Sequence, residues 1–444
     1  MWIFIILIAA LIIAFIILSK KADKNKKKYI ANEEEINFED KINGFNKEIN
    51  IIQISDIHFL SSKLTDYGKA FYENVEKGDA KSVRYVEAII DAFVYQILNQ
   101  KPDLVIISGD ISYNGERESH IDFSKKLKVL KEHNIDSIVL PGNHDIEYYR
   151  VQEFFGDRPG ELDSTSVDDF CEIYKEFGMG DNSKIISRDK NSLSYIYKIN
   201  ENICLMLIDT NTKDNIMNIS DKTYKWIEKE LNSMKESNIT TIGVTHQNIL
   251  GHNKMFISGY KITNSSKLVD LFNKYNVRLN ISGHMHAQHI AENKNVYDAA
   301  VGSVSLYPNL YANIKIDYRR NIHYSTSKVD VKKWAIENNI TNNDLRSFDT
   351  YIYNFMEKST NEKIIESFEK NNIPKNHRKE MLDFLNRTNY AYFSGIMSEY
   401  DDLDLEHPGY NLWQNYFERD LFGKYLDSIY QEEKKNHNYL EIKN

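Results

Sequence analysis

Five short segments of this chain carry side chains of metal-binding or proton-transferring type, and each follows directly on an apolar run. They are SDIH (Asp56, His58), SGD (Asp110), PGNHD (Asn143, His144, with Asp145 beside it), THQ (His246) and SGHMH (His284, His286). Carboxylate, imidazole and amide oxygen are the donors that hard or borderline divalent ions take, so Asp56, His58, Asp110, Asn143, His246, His284 and His286 are candidate metal ligands. A lone D-x-H or G-x-H arises often by chance; five strand ends bearing such residues in one chain do not. In Asp56-Ile57-His58 and His284-Met285-His286 the i, i+2 spacing predicts that both side chains leave one side of an extended backbone. Gly109, Gly142 and Gly283 each stand just before a candidate ligand, where a missing Cβ permits close approach. His120, His252 and His289 lie near these segments without matching them and are expected at the surface or behind the ligands. His133 reads as a solvated helix end, and His323, His377, His407 and His437 receive no role.

These groups can converge only if the runs before them share one sheet edge. Strand-length runs alternate with runs of helical period: INIIQIS, SVRYVEAIIDAFVYQIL, DLVIISG, KKLKVLKEH and IDSIVLPG. SYIYKI and NICLMLID continue as neighbouring strands, DKTYKWIEKELNSMKE as a helix, and TTIGVTH and RLNISGH as strands. The run VYDAAVGSVSLYPNLYANIKIDY supplies more strand to about Asp317. This rhythm predicts an α/β fold over residues 47–328, with its crevice at the carboxyl ends of the strands. Beyond residue 329 the strand pattern gives way to amphipathic helical stretches such as NLWQNYFERDLFGKYLDSIY, so residues 329–444 are expected to form a helical domain. Its aromatic stripe (Trp413, Tyr416, Phe417, Phe422, Tyr425, Tyr430) reads as core or packing surface.

Residues 1–18, MWIFIILIAALIIAFIIL, would extend roughly 27 Å as a helix, just enough to span a bilayer. No basic region precedes this run and no small-x-small site follows it, so an uncleaved transmembrane anchor is expected, with residues 19–46 as a basic tether. Lysines follow the span and none precede it, which places the large C-terminal part on the cytoplasmic side. The formal charge is −9, and Lys20, Lys21, Lys24, Lys26, Lys27 and Lys28 against Asp23 contribute 6 − 1 = +5, leaving −9 − 5 = −14 elsewhere. Stable nucleic-acid binding is not expected of so acidic a body. Two cysteines, Cys171 and Cys204, exclude a disulfide framework, and Cys204 within ICLMLID reads as a buried thiol.

The motif series D-x-H, G-D, G-N-H-D, H and G-H-x-H, met in order over about Ile51–His286, resembles that of the calcineurin-like metallophosphoesterases. The resemblance implies a four-layer β-sandwich flanked by helices and a dinuclear site at one edge. Asp56, His58 and His286 would hold one ion, Asn143, His246 and His284 the other, and Asp110 would bridge them. It further implies that His144 stays unligated and acts on the substrate. Asp145, next to it, is expected to fix the imidazole tautomer, as such carboxylates commonly do, or else to cap the loop. Residues STSKVDVKKWAIENN and DLRSFDTYIYNFM, with SGDISYNGERESH, resemble bacterial class III cyclic-nucleotide phosphodiesterases that carry a helical C-terminal domain. The expected function is therefore hydrolysis of cyclic nucleotides or related phosphodiesters by a hydroxide shared between two divalent ions. Manganese or iron is the expected metal, with zinc or cobalt as substitutes. A phosphomonoesterase or protein serine/threonine phosphatase is the alternative within the same superfamily, and a non-catalytic membrane-anchored scaffold the remote one. Oligomeric state is not legible.

Overall fold

The computed structural model describes residues 47–213 and 215–444. The anchor expected over residues 1–18 and the tether over 19–46 lie outside the described residues. Among the described residues, no helix is long and apolar enough to cross a membrane.

Residues Ile49–Ile316 and Asn321–Asn444 fold as one compact unit. Its strands are β1 (Ile49–Ile54), β2 (Leu104–Ser108), β3 (Asp136–Leu140), β4 (Val151–Phe155), β5 (Arg158–Leu162), β6 (Ile185–Arg188), β7 (Tyr195–Asn200) and β8 (Ile203–Ile208). They continue as β9 (Thr240–Thr245), β10 (Leu279–Ser282), β11 (His289–Asn293), β12 (Val296–Ala300), β13 (Leu310–Ile316), β14 (Ile322–Lys328) and β15 (Tyr439–Ile442). Two sheets result, ordered β15-β14-β13-β1-β2-β3 and β11-β12-β10-β9-β8-β7-β6, beside a β4-β5 hairpin. One half of the first sheet, β1-β2-β3, and the middle of the second, β8-β9-β10-β12, are parallel. Parallel strands covered on both faces need near-continuous apolar sequence, which LVIIS and ICLMLI supply, every residue of both being buried. Hydrogen bonds tie the sheets together: the buried Gln53 amide on β1 donates to Ser282 O of β10 (3.0 Å), and the Tyr195 hydroxyl on β7 donates to Val139 O of β3 (2.8 Å).

Among the described residues, the helices of ten residues or more are α1 (Val86–Gln100), α2 (Arg117–Glu132), α3 (Asp221–Glu236), α4 (Ser265–Tyr275), α5 (Phe348–Lys370), α6 (Lys375–Phe393), α7 (Pro408–Phe417) and α8 (Leu421–Tyr430). Alternate residues of β8, Cys204, Met206 and Ile208, pack with Ile227 and Leu231 of α3 and with Leu268 and Phe272 of α4. Both cysteines are free, and burial pushes the Cys204 thiol up to about 11, so it is an inert core group.

The helical region begins with the helix Val331–Glu337. The predicted stretch NLWQNYFERDLFGKYLDSIY breaks into α7 and α8, because Asp420 between them is extended (φ −88°, ψ 171°). Trp413 and Phe417 enter a core with Phe368, Met381 and Leu426; Phe422, Tyr425 and Tyr430 pack on its rim, while Tyr416 stays 37 % exposed. The same core takes in Met285 and Ala287, which alternate with the motif histidines after β10. Residues 329–444 are not helical throughout: β15 follows the last helix and pairs antiparallel with β14, joining the six-stranded sheet.

Candidate metal centre

β1, β2, β3, β9 and β10 all end at one edge, and the loops leaving them carry the motif residues. Asp56, His58, Asp110 and His286 bring one ligand atom each within 4.8 Å of one another, and so do Asp110, His246 and His284. Asp110 belongs to both groups. Asn143 joins the second, its Oδ1 3.1 Å from His246 Nε2. All seven expected ligands therefore meet.

They do not meet as the i, i+2 argument supposed. Asp56 (φ 54°), His58 (φ 50°), Asp110 (φ 49°), His284 (φ 68°) and His286 (φ 61°) all lie in the left-handed region. The two pairs leave tight loops beyond the strand ends, not extended backbone. Left-handed conformations cost side-chain-bearing residues energy, on the order of 1–3 kcal/mol each, and persist where the surroundings force them. Here the forcing contacts are visible. Asp56 N–H donates to Gly109 O (3.1 Å), His58 N–H to Asp110 O (3.0 Å), and His284 N–H to Asp56 Oδ2 (2.9 Å). Gly142 and Gly283 meet the close-approach expectation. A Cβ at Gly142 would overlap Asp110 N and Oδ1 and come within 2.9 Å of His246 Nε2, and one at Gly283 would overlap Ser55 Oγ.

Backbone carbonyls fix the ring orientations. His246 Nδ1–H donates to Ser108 O (2.9 Å) and His284 Nε2–H to Gly259 O (2.7 Å), so His246 Nε2 and His284 Nδ1 face each other 3.2 Å apart. His58 Nε2 and His286 Nε2 stand 3.1 Å apart. Two nitrogens each about 2.0–2.1 Å from one ion fall at roughly this separation. Asp56 Oδ1 is buried without a hydrogen-bond partner, 3.4 Å from His286 Nε2. Asp110 reaches His246 Nε2 with Oδ1 (3.2 Å) and His58 Nε2 with Oδ2 (3.8 Å). Inward-facing nitrogens and an orphaned carboxylate oxygen are a donor set that fits two cations.

The electrostatics agree. Burial works against charge on Asp110, yet His246 and His144 hold its carboxyl well below the usual range, and against the same burial Asp56 is lowered chiefly by the neighbouring His286 ring. Burial would lower His246, but the Asp110 carboxylate overrides it and lifts the ring to about 9. Burial and the His246 charge push His284 down to about 4, and burial aided by Lys81 carries His58 well below its usual value. Two carboxylates kept ionised in a dry pocket demand positive charge there.

His144 stands beside the cluster, its ring 5.0 Å from that of His58 and stacked on Tyr148 at 4.7 Å. Its Nδ1–H donates to Tyr113 O (3.1 Å) and Asn114 Oδ1 (2.8 Å), which leaves Nε2 as its working nitrogen. Its backbone N–H donates to Asp110 Oδ1 (2.9 Å). Burial lowers its pKa, and the Asp110 charge opposes that.

Asp145 does not orient this ring. Its Oδ1 accepts from the N–H groups of Ile111 (2.8 Å) and Ser112 (2.9 Å), and its Oδ2 from Gly142 N–H (2.7 Å). It is a clamp between the loops after β2 and β3. The tautomer is set instead by Asn114, inside the SGDISYNGERESH segment, whose role nothing in its residue type announced. His120, His252 and His289 are not at the surface: all are buried and none enters the cluster. His120 bonds Tyr174 and Asp145 O; His252 bonds Asp298, which accepts the N–H groups of Ile249 and Leu250 in the loop after β9.

Comparison with known proteins supplies the family. A family model described as calcineurin-like phosphoesterase matches residues 49–288, more than half of the chain, and one described as C-terminal domain of cyclic nucleotide phosphodiesterase matches residues 330–436. A probable glycerophosphodiester phosphodiesterase GpdQ from Arcobacter nitrofigilis is 25% identical over 239 residues, 53% of this chain and 71% of the relative. Among solved structures, a dimetal phosphatase from Danio rerio aligns at 11% identity and TM-score 0.47, covering 63% of this chain and 96% of that one. Purple acid phosphatase PPD1 from yellow lupin (Lupinus luteus) seeds aligns at 14% identity and TM-score 0.44, covering 64% and 52%. With a family match of that extent over a convergent Asp/His cluster, the chain belongs to the calcineurin-like phosphoesterase family and is a dinuclear metallophosphoesterase.

Proposed function

We propose that the enzyme hydrolyses phosphodiesters, with cyclic nucleotides as the leading class. The observation that carries the hydrolytic reading is the pair of inward-facing nitrogen sets on either side of Asp110. Asp56, His58 and His286 would hold one ion, Asn143, His246 and His284 the other, with Asp110 between them. When bound, two such ions neutralise charge on the phosphoryl oxygens and acidify a water for in-line attack. The chain's own residues keep this geometry. His144 N–H fixes the carboxylate of Asp110, and His284 N–H fixes that of Asp56. Gln247 Nε2 donates to Asn211 Oδ1 (2.5 Å) and approaches Asn143 Oδ1 (3.4 Å), holding that amide oxygen toward His246. His144, once protonated to the imidazolium, would give its Nε2 proton to the departing oxygen while Tyr113 O and Asn114 Oδ1 steady Nδ1–H.

The diester reading is supported by the C-terminal match and by the name of the Arcobacter relative. Turnover of bis-p-nitrophenyl phosphate against the monoester, with and without manganese, tests it. Manganese-dependent diester hydrolysis is expected; faster monoester hydrolysis would shift the assignment to a monoesterase or protein phosphatase. Metal content of about two ions per chain separates the enzyme from a scaffold. Manganese or iron is the proposed native metal. The apolar residues 1–18 and the lysines after them support a membrane anchor with a cytoplasmic catalytic body. Carbonate extraction and protease protection of the full-length chain test that, and release by carbonate would exclude it.

A further inference from the structure

A cavity of about 490 Å³ lies between the metal-bearing domain and the C-terminal helices. Its volume is within the range of roughly 300–1,000 Å³ common to small-molecule sites. Segments that lead into the metal centre form two of its walls. On one side are Phe256 and Tyr260; the Tyr260 ring lies 5.6 Å from that of His284, and neighbouring Gly259 O is the acceptor for His284 Nε2–H. On the other are Gly78 and Ala80, which run directly into Lys81; the Lys81 ammonium sits 5.8 Å over the ring of Tyr113, whose carbonyl holds His144 Nδ1–H. The helical region closes the remaining side with Tyr425 of α8 and Phe393 and Asn389 of α6.

We propose that this cavity seats the heteroaromatic base of a nucleoside phosphodiester whose phosphoryl group lies on the metal centre. The inference rests on the phosphodiesterase reading above and names the substituent it selects. Three observations choose this occupant. First, the walls are ring faces: Phe256 lies 5.1 Å from Tyr260 and 5.9 Å from Tyr425, centroid to centroid. Every base has a π-face to offer such walls. Second, the polar groups are few and suit a ring edge. Tyr425 O–H donates to Asn389 Oδ1 (2.8 Å), so the Asn389 NH₂ remains to donate, beside the Thr360 hydroxyl and the Lys363 ammonium. Third, the helical wall lies within residues 330–436, the stretch matched by the family model described as C-terminal domain of cyclic nucleotide phosphodiesterase.

The test uses the full chain loaded with manganese and compares kcat/KM for a 3′,5′-cyclic purine nucleotide, for glycerophosphoethanolamine and for methyl p-nitrophenyl phosphate. Thr360→Trp fills the cavity, and Phe256→Ala removes a ring without adding bulk, so that one variant remains informative if the other fails to fold. Each is expected to lower the nucleotide-to-methyl-diester ratio of kcat/KM by about tenfold to a hundredfold, the effect of one lost stacking contact, mainly through KM. Wild type is expected to prefer the nucleotide to glycerophosphoethanolamine. An unchanged ratio in both folded variants, or a preference for the glycerol diester, overturns the cavity assignment while leaving diester hydrolysis standing. No turnover of any of the three diesters by manganese-loaded wild type would instead overturn the reading on which it rests.

Discussion

Asp145 and Asn114 both lie beside His144, and the structure gives them different work that mutation should separate. Asp145 accepts three backbone N–H groups and the Ser112 hydroxyl, all buried. In Asp145→Asn one oxygen can still serve Ile111 and Ser112, but an NH₂ group then opposes Gly142 N–H. Two buried donors are left facing each other, at about 1–3 kcal/mol each, and the charge assistance to the remaining bonds is lost. A destabilisation of about 2–5 kcal/mol is expected, with reduced metal content, because Asn143 and His144 ride on the clamped loop. Asn114→Ala removes one of two acceptors for His144 Nδ1–H, and Tyr113 O at 3.1 Å remains. The loss is one hydrogen bond, about 0.5–1.5 kcal/mol, so kcat should fall by roughly twofold to tenfold with stability and metal content kept. Denaturant midpoints, metal analysis and pH-rate profiles on a diester with a poor leaving group read all of this. If Asp145→Asn unfolded like wild type and held its metals but lost turnover, the carboxylate would have a direct catalytic task and the clamp assignment would be wrong. A silent Asn114→Ala would equally remove the case for a tautomer set at that residue.

Gly283→Ala should cost a hundredfold or more in turnover, since its Cβ would overlap Ser55 Oγ and Asp56 Oδ2, and a misplacement of about 1 Å at a reacting centre carries that order of loss; an active variant with full metal content would contradict the packing. Adding manganese to chelator-stripped enzyme should raise the unfolding free energy by about 2.7 kcal/mol at a hundred times Kd, and a melting temperature indifferent to manganese would count against a metal centre. Glu432 faces His289 across 3.3 Å, with Asn253, Lys254 and Tyr392 around it, and burial lifts its carboxyl to about 7. The folded chain then holds a proton there that the unfolded chain releases above about 4.5, so this group's contribution to stability falls as pH rises from about 4.5 to 7. Glu432→Gln should therefore gain on wild type over that window, and a pH-independent difference in melting temperature would refute the assignment. Truncation after Tyr430 removes His437, stacked on His289 at 3.8 Å, together with β15, and should lower both stability and metal retention.

The convergence of these donors was legible because each sits at a strand end, where residue type and the preceding apolar run are both visible in sequence. Its geometry was not. Spacing alone suggested extended pairs, whereas backbone bonds between loops far apart in the chain force left-handed residues such as Asp56 and His58. Asn114 and Asp145 show the same limit, since which acceptor meets which ring depends on loops that only the fold brings together. The helix Asp221–Glu236 was readable to its ends because its apolar period begins just after a capping serine, Ser220. The strand Tyr439–Ile442 was not, because four residues carry no period and pair for tertiary reasons. The burial of His252, His289 and His437 likewise comes from packing between distant segments.

Met285 and Ala287 alternate with the motif histidines His284 and His286, and their side chains are packed into the hydrophobic core built from α5 to α8. During synthesis the loop after β10 would therefore leave the ribosome with its rear unsupported, and its support would arrive only once the helices had followed. A nascent chain holding every metal-binding residue would still be a poor hydrolase. Competence would come late, as a property of the finished polypeptide, so the cell would meet this catalyst only after its own construction was complete.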